Sequence, residues 1–214
     1  MKKCLVYGVG INDADYRVQE NKCYTNNLGK RATEVLWRCP YYDRWYGMIR
    51  RCYSERELSR FPTYKGCSVC EEWLTFSNFK SWMEQQDWEG KHLDKDLLIY
   101  KNKVYSSETC VFVDYKVNLF IIKGSTSKSN SPIGVDFSKK VSKFRARMTT
   151  NNKTVDLGHF STSQEAHRAW QKEKIKQAKI LQSEQTDARV IKGLQRVIDK
   201  IQSDYDSNLE TKDF

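Results

Sequence analysis

Long apolar runs, internal repeats and low-complexity tracts are all absent from this sequence. No stretch approaches the roughly 18 consecutive apolar residues of a membrane span, so we expect no membrane partner. The N-terminal MKKCLVYGVGIN contains only a brief apolar run, which is too short for a secretory signal. The seven cysteines are odd in number and unevenly spaced, which argues against a disulfide framework. Together these absences predict a cytoplasmic protein with reduced thiols.

Aromatic residues and positive charge are abundant instead. Six Trp, twelve Tyr and nine Phe accompany a mean hydropathy of −0.76, a combination that favours folded cores under polar surfaces over disorder. At 214 residues the chain can form one large or two small domains. Its formal net charge is +10, and residues 131–180 carry eleven Lys/Arg against four Asp/Glu, which leaves +7. Such clustered charge favours double-stranded DNA as a partner, although a solvated basic face has the same composition.

The stretch from Ser131 to Ile180 has the pattern of three short strands followed by a helix. Residues 144–149 (FRARMT) alternate apolar and polar side chains, and this period of two predicts a strand with one buried and one cationic face. Ser161 or Thr162 can cap the helix that follows, with Glu165 completing a capping box. A sheet with a helix beneath it and arginines above it is suited to a DNA groove.

This stretch resembles the APETALA2-type DNA-binding domain of plant ethylene-response factors, which also occurs fused to phage endonucleases. The matching residues include Gly134-Val135, KFRA at 143–146 and LGHFSTSQEA at 157–166. The resemblance implies a three-stranded sheet that lies in the major groove of duplex DNA. The sheet tryptophans of that family are absent here, so no base preference is carried over. We assign the DNA contacts to Lys139, Lys140, Lys143, Arg145, Arg147, Thr149 and Lys153.

The N-terminal half predicts a different kind of structure, with helices followed by a finger. Apolar residues at helical spacing predict helices at 44–52 and 76–83. After them come a strand candidate at 92–99, a loop, a strand at 110–113 and a short helix at 114–122. This order is the layout of a ββα metal finger, in which ligands from the first strand and the helix hold one divalent ion beside the scissile phosphate.

This half also resembles the free-standing HNH homing endonucleases of phages, over residues 41–120. The matching residues include Arg51-Cys52-Tyr53, VCEEWL at 69–74, Leu93-Asp94-Lys95 and YSSETC at 105–110. The resemblance implies Mg²⁺- or Mn²⁺-dependent hydrolysis of DNA by a phage-encoded protein in the cytoplasm of a bacterial host. Hard cations prefer oxygen ligands, and the candidates here are Asp94, Asp96 and Asn118.

The general base of that family is a histidine, and Lys95 occupies its position here. A lysine side chain of ordinary pKa, about 10.4, is a poor base at neutral pH. Three interpretations stay open: a lowered pKa, a phosphate contact while another group activates water, or a lost activity. Strand alternation places His92 on the same face as Asp94, which makes it a second candidate base. The candidate catalytic residues are therefore Asp94, Lys95 and His92, and neither His159 nor His167 is assigned a catalytic role.

Four cysteines are candidates for structural Zn²⁺. Cys67 and Cys70 have the CxxC spacing of metal ligands, and Cys52 and Cys110 could complete a set of four thiolates. A single CxxC is a weak signal, because cysteines are also used as small buried apolar residues. Zinc is therefore a secondary expectation beside the divalent ion of the finger.

An apolar stripe at helical spacing runs from Val190 to Ile201 and predicts a C-terminal helix, with Thr186 as its N-cap. The stripe can pack on the core, along the preceding helix or on a second copy of the chain. The final residues, SNLETKDF, are expected to fray. Nothing in this segment predicts the oligomeric state.

The sequence thus predicts an α+β protein with an N-terminal segment, an HNH-like domain, a linker, a DNA-binding domain and a C-terminal helix with its tail. The corresponding boundaries are 1–40, 41–123, 124–130, 131–182 and 183–214. The expected function is sequence-targeted DNA cleavage by a phage homing-type endonuclease. The alternative is a catalytically inactive DNA-binding or regulatory phage protein that keeps the HNH fold.

Overall fold

The computed structural model describes residues 5–121, 131–150 and 153–214, and it mixes helices and strands as the predicted α+β class requires. The strands are β1 Gln19–Thr25, β2 Arg31–Arg38, β3 Ser68–Val69, β4 His92–Asp94, β5 Val104–Tyr105, β6 Val111–Val113, β7 Val135–Ser138, β8 Lys143–Thr150 and β9 Lys153–Phe160. The helices are α1 Pro40–Tyr53, α2 Glu55–Arg60, α3 Phe76–Met83, α4 Tyr115–Ile121, α5 Ser163–Ser183 and α6 Ala188–Asp206. Across these ranges no helix is both long and apolar enough to cross a bilayer.

The chain divides into two compact units. The first runs to Glu89 and includes Lys101–Phe112, and the second takes Gly90–Tyr100 and the chain from Val113 onward. These units differ from the predicted domains, because β4 and α4 of the expected finger group with the C-terminal elements. The predicted linker, 124–130, lies outside the described residues.

An aromatic core holds the first unit together. Trp45 of α1 and Phe76 of α3 are almost completely buried, with ring centroids 5.6 Å apart. Trp45 also donates its indole N–H to the carbonyl of Trp73 at 2.7 Å, so its polar edge is satisfied inside the core. α3 spans the residues predicted for it. α1 begins earlier than predicted, at Pro40, whose fixed φ suits the first helical position.

The first unit also contains a hairpin that the sequence analysis does not predict. β1 and β2 pair antiparallel, and nearly all of their side chains are exposed. The turn is fixed by Asn26, whose side-chain oxygen accepts the backbone N–H groups of Leu28 and Lys30, both at 3.0 Å. Because both faces are solvated, the hairpin lacks the clear apolar alternation that reveals a half-buried strand.

The second unit is built on a three-stranded antiparallel sheet in the order β7-β8-β9, with α5 packed against it. Val135 of β7, Ala146 of β8 and Ala166 of α5 form the buried contact. α5 begins with the predicted capping box. The Thr162 hydroxyl accepts the Glu165 N–H at 3.2 Å, and the Glu165 carboxylate accepts the Thr162 N–H at 3.1 Å.

α6 packs along α5, so the apolar stripe is buried within the chain. Val190, Leu194 and Ile201 are each at most 1 % exposed. The N-cap is Asp187 and not the predicted Thr186. The Asp187 carboxylate accepts the Arg189 N–H at 2.8 Å, which satisfies one of the free donors of the first turn.

The C-terminal tail is anchored, so the expected fraying is wrong. Thr211 is completely buried, and its backbone N–H donates to His167 Nε2 at 3.0 Å. The Thr211 hydroxyl donates to the carboxylate of Asp204 at 2.9 Å. His167 Nδ1 lies 2.9 Å from the carbonyl of Ile133, so one imidazole connects the tail to the segment that precedes β7.

Candidate functional site

The outer face of the three-stranded sheet carries the predicted arginines. In β8, Ala146 is completely buried and Met148 is 6 % exposed, on the side of the sheet that faces α5. Because successive side chains of a strand point to opposite faces, Arg145, Arg147 and Thr149 lie on the other side. The division into one apolar face and one face that carries the arginines is the one that the alternation predicts.

A carboxylate on the neighbouring strand engages both arginines. Asp136 of β7 lies directly opposite Arg145 in the sheet register. Its Oδ2 accepts from Arg145 Nη2 at 2.8 Å, and its Oδ1 pairs with Arg147 Nε at 2.7 Å. The pKa of Asp136 is lowered, chiefly by the hydrogen bond from Arg145. The face therefore presents an ion triad held by Asp136, not two independent cations.

β9 adds a second carboxylate and a hydroxyl pair to this face. Asp156 lies opposite Arg147, and its Oδ1 accepts the backbone N–H of Gly158 at 2.8 Å. Thr149 faces Thr154, with their hydroxyls 3.3 Å apart. The face therefore carries less net positive charge than the composition of the segment suggests.

The remaining predicted DNA contacts lie at the ends of the sheet. Lys139 and Lys140 are exposed in the connection between β7 and β8, and Lys143 is exposed at the start of β8. Lys153 pairs with Thr150, so by strand alternation it falls on the α5 side and not on the arginine face. The structure thus groups three lysines near the arginine face and separates Lys153 from it.

The first strand of the expected finger ends sooner than predicted. β4 covers only His92–Asp94, and the chain bends from Lys95 onward. Asp94 Oδ1 accepts the backbone N–H groups of Asp96 at 2.8 Å and Leu97 at 2.7 Å, which closes a turn. Burial raises the pKa of Asp94, and these two hydrogen bonds oppose the shift. Asp94 is therefore the organising residue of a turn, and Asp96 is not on the strand beside it.

Lys95, at the position of the family's base, folds onto the same turn. Its side chain is buried, and its Nζ donates to Asp96 Oδ1 at 2.5 Å. An ammonium group has three donors and no acceptor, so in this ion pair it has no lone pair for a proton from water. The geometry therefore places Lys95 in an ion pair with Asp96, and its role as a base stays a prediction.

Arg196 of α6 reaches the turn as well, and the sequence analysis misses it. Its Nη2 donates to the carbonyl oxygens of Leu97 at 3.2 Å and Asp96 at 3.4 Å. Burial lowers the pKa of Arg196, and the nearby Asp94 and Asp96 carboxylates act in the opposite direction. Arg196 lies 100 positions from Asp96 in the sequence, so no local pattern could have revealed the contact.

The remaining finger candidates are His92 and Asn118. His92 is exposed, with its ring 5.8 Å from that of Tyr115, and Asn118 is half-buried in α4. Within the described ranges, no group of three or more His, Cys, Asp or Glu could hold a metal ion. Asp94 Oδ1 accepts two bonds from the turn and Asp96 Oδ1 is in an ion pair, and the Mg²⁺ or Mn²⁺ site expected at Asp94, Asp96 and Asn118 stays a prediction.

The four cysteines proposed for zinc all lie in the first unit. Cys52, Cys67 and Cys110 are buried, and Cys70 is half-buried. Among the described residues, no three of these thiols lie close enough together to hold one Zn²⁺ ion. Burial raises the pKa of the Cys70 thiol.

Comparisons of this chain with protein-family profiles, with curated proteins and with solved structures give no match. The two features of the chain that bear on function are the arginine face of the sheet and the turn that follows β4.

Proposed function

We propose that the chain is a duplex DNA-binding protein, which contacts DNA through the outer face of the β7-β8-β9 sheet and does not cleave it. The observation that carries the proposal is the row formed by Arg145, Arg147 and Thr149 on a face whose opposite side is buried against α5. Exposed lysines of the β7–β8 connection extend the positive charge at one end of this row. Strands can read a DNA groove with such a row, and phosphate attraction supplies much of the affinity.

The lack of cleavage is supported by the turn that follows β4. Asp94 Oδ1 accepts two backbone N–H groups, and the Lys95 ammonium is buried against Asp96. Hydrolysis of a phosphodiester needs an activated water and a group that stabilises the leaving oxygen. Two of the residues assigned to these roles, Asp94 and Lys95, already have partners within the protein itself.

The endonuclease implied by the resemblance is the second candidate, and Arg196 is the observation in its favour. Its guanidinium lies at the turn that carries Asp94, and a guanidinium is well suited to bind phosphate oxygens. The two candidates make the same prediction for DNA binding and opposite predictions for cleavage.

The binding experiment uses the full chain and a labelled DNA duplex, followed by fluorescence anisotropy. If six to ten phosphates are contacted, raising the salt from about 50 to about 200 mM should weaken binding by about 10³–10⁵-fold. Arg145→Ala should weaken binding by roughly 5- to 150-fold if the side chain reads a base. Lys172→Ala, on an exposed position of α5, is the matched control and should change little. Salt-independent binding would contradict the proposal.

The cleavage experiment incubates supercoiled plasmid with Mg²⁺ or Mn²⁺ at a protein concentration that saturates binding, with EDTA as the control. We expect the plasmid to remain supercoiled. Nicking or linearisation that disappears in the Asp94→Ala variant, while DNA binding persists, would establish the endonuclease in place of the non-cleaving protein.

A further inference from the structure

Arg51, near the C-terminal end of α1, has an unusual environment. Its Nε is fully buried and has no hydrogen-bond partner among the described residues. The guanidinium lies beside two tyrosine rings, 5.9 Å from the ring centroid of Tyr64 and 5.7 Å from that of Tyr105. Buried donors in folded proteins are almost always paired, and an exception calls for an explanation such as a bound ion.

The positive charge of Arg51 also lacks a counter-charge. The preceding residue, Arg50, pairs with Glu57 at 3.9 Å, whereas in the described structure no carboxylate forms an ion pair with Arg51. Burial lowers the pKa of Arg51, but the phenol groups of Tyr105 and Tyr64 outweigh this effect, and the net shift is upward. Arginine stays protonated in proteins, so α1 holds a cation that hydrogen-bonds the Tyr105 side chain and pairs with no carboxylate in the described structure.

A glycine lies next to the guanidinium in α1. Gly47 lies one helical turn before Arg51, and a Cβ built there would meet only Arg51 Nη1, at 3.9 Å. Glycine inside a helix lowers stability relative to alanine, because it loses more backbone entropy on folding. Its presence at this position keeps the space over Nη1 free of a side chain, and Arg51 as a residue remains only half-buried.

A second cation is bonded to the backbone on either side of Tyr64. Lys103 Nζ donates to the carbonyl oxygens of Thr63 at 2.9 Å and Lys65 at 3.4 Å, on the short segment that carries Tyr64. Tyr105 is held by the pairing of β3 with β5. The guanidinium is therefore next to two aromatic rings and pairs with no carboxylate in the described structure, a setting that suits an anion with several acceptor oxygens.

We propose that Arg51 is the central donor of an oxyanion site, and that its ligand is a phosphate group. The planar guanidinium offers paired N–H donors that match two phosphate oxygens, which a lysine ammonium cannot reproduce. The phosphate can come from a free phosphomonoester or from the backbone of a nucleic acid. The site lies in the first unit, so it stands whether or not the β7-β8-β9 sheet binds DNA.

The test measures phosphate binding by isothermal titration calorimetry, with NaCl at matched ionic strength as the reference. The full chain should bind inorganic phosphate. Arg51→Lys should weaken binding by at least about tenfold, because it keeps the charge and loses the fork of donors. Arg50→Lys, the same change on a neighbouring arginine, should bind as the parent does. Gly47→Ala should keep the fold, raise the helix propensity and weaken phosphate binding, since its methyl group contacts Nη1.

Equal phosphate binding by the parent and the Arg51→Lys and Gly47→Ala variants would overturn the proposal, as would the absence of phosphate binding by the parent. Thermal melts in phosphate and chloride verify that each variant folds, and the Arg50→Lys protein corrects for the general stabilisation that phosphate gives many proteins. Two further ligands identify the source of the phosphate. A nucleoside monophosphate that competes with inorganic phosphate indicates a free phosphomonoester, and a short duplex without terminal phosphates that competes indicates a nucleic-acid backbone.

Discussion

Asp136 should limit the strength with which the sheet binds DNA of arbitrary sequence. Its carboxylate holds Arg145 at 2.8 Å and Arg147 at 2.7 Å, so a phosphate or base can engage either guanidinium fully only by displacing this partner. The Asp136→Asn substitution removes the charge and keeps an amide of similar size. We therefore expect the variant to bind random-sequence duplex more tightly than the parent at low salt.

The size of the effect follows from the number of cations released. Each phosphate contact steepens the slope of log K against log salt by about one, so two released arginines steepen it by about two. Over a fourfold rise in salt, from about 50 to about 200 mM, the advantage of the variant over the parent should then shrink by about 15-fold. A single released arginine would give half that change in slope.

The assay is a salt titration of binding to a random-sequence duplex, with Asp156→Asn as the matched control. Asp156 is on the same face and opposite Arg147, but its Oδ1 is bonded to the backbone of Gly158 and not to either arginine. Both substitutions remove one negative charge from the face, so long-range electrostatics should affect them alike. Equal affinities and slopes for the two variants would refute the idea that Asp136 withholds the two arginines from DNA. Weaker binding by Asp136→Asn would show instead that Asp136 orients the arginines for DNA.

Three further predictions concern the stability of the second unit. His167 is buried in its neutral form between two backbone groups, and burial lowers its pKa. The free energy of unfolding should therefore fall as the pH drops below about 6.5, and it should keep falling until the pH has passed the pKa of His167 in the folded state. Protonation of the ring removes the hydrogen bond from the Thr211 N–H. Loss of that bond should cost about 1–3 kcal/mol, measured by urea titrations at several pH values, and a flat profile would contradict it. Burial lowers the pKa of Lys174 to about 7. The free energy of unfolding should therefore be highest above about pH 10.4, where the amine is neutral in both states, and it should fall as the pH drops toward 7. Lys174→Met, which removes the buried amine, should raise the Tm at pH 7. Gly134 has φ +79°, and a Cβ there would overlap the indole of Trp170. Gly134→Ala should therefore lower the free energy of unfolding by about 1–3 kcal/mol or more. An unchanged melting curve would show that the indole moves aside.

The features that could be predicted from the sequence are local ones. The alternation in FRARMT identifies a strand and its two faces because strand periodicity is a property of consecutive residues. The capping box at Thr162 and Glu165 is visible for the same reason, since its two hydrogen bonds join residues three positions apart. The stripe from Val190 to Ile201 likewise predicts a helix and its buried side, while its packing on α5 needed the structure.

The features that could not be predicted depend on register or on distant contacts. The ion pairs of Asp136 with two arginines depend on how β7 pairs with β8. The side of the sheet on which Lys153 lies depends on how β9 pairs with β8. A shift of one residue in either pairing would reverse these assignments, because the side chains alternate. At the turn after β4, residues 92–99 have the composition of one longer strand, and only the two hydrogen bonds to Asp94 show where that strand ends.

The two candidate sites differ in how easily an outside ligand can replace the protein's own partners. On the sheet, the side chains of Arg145 and Arg147 are 30 % and 44 % exposed, and exposed ion pairs of this kind contribute little, so DNA phosphates can compete for them. At the turn, the Lys95 side chain is 7 % exposed, and separating it from Asp96 would leave a buried cation without its partner. A metal ion that recruited Asp96 would have to meet that cost, whereas DNA on the sheet would not. DNA binding therefore remains the stronger inference, and it does not depend on cleavage.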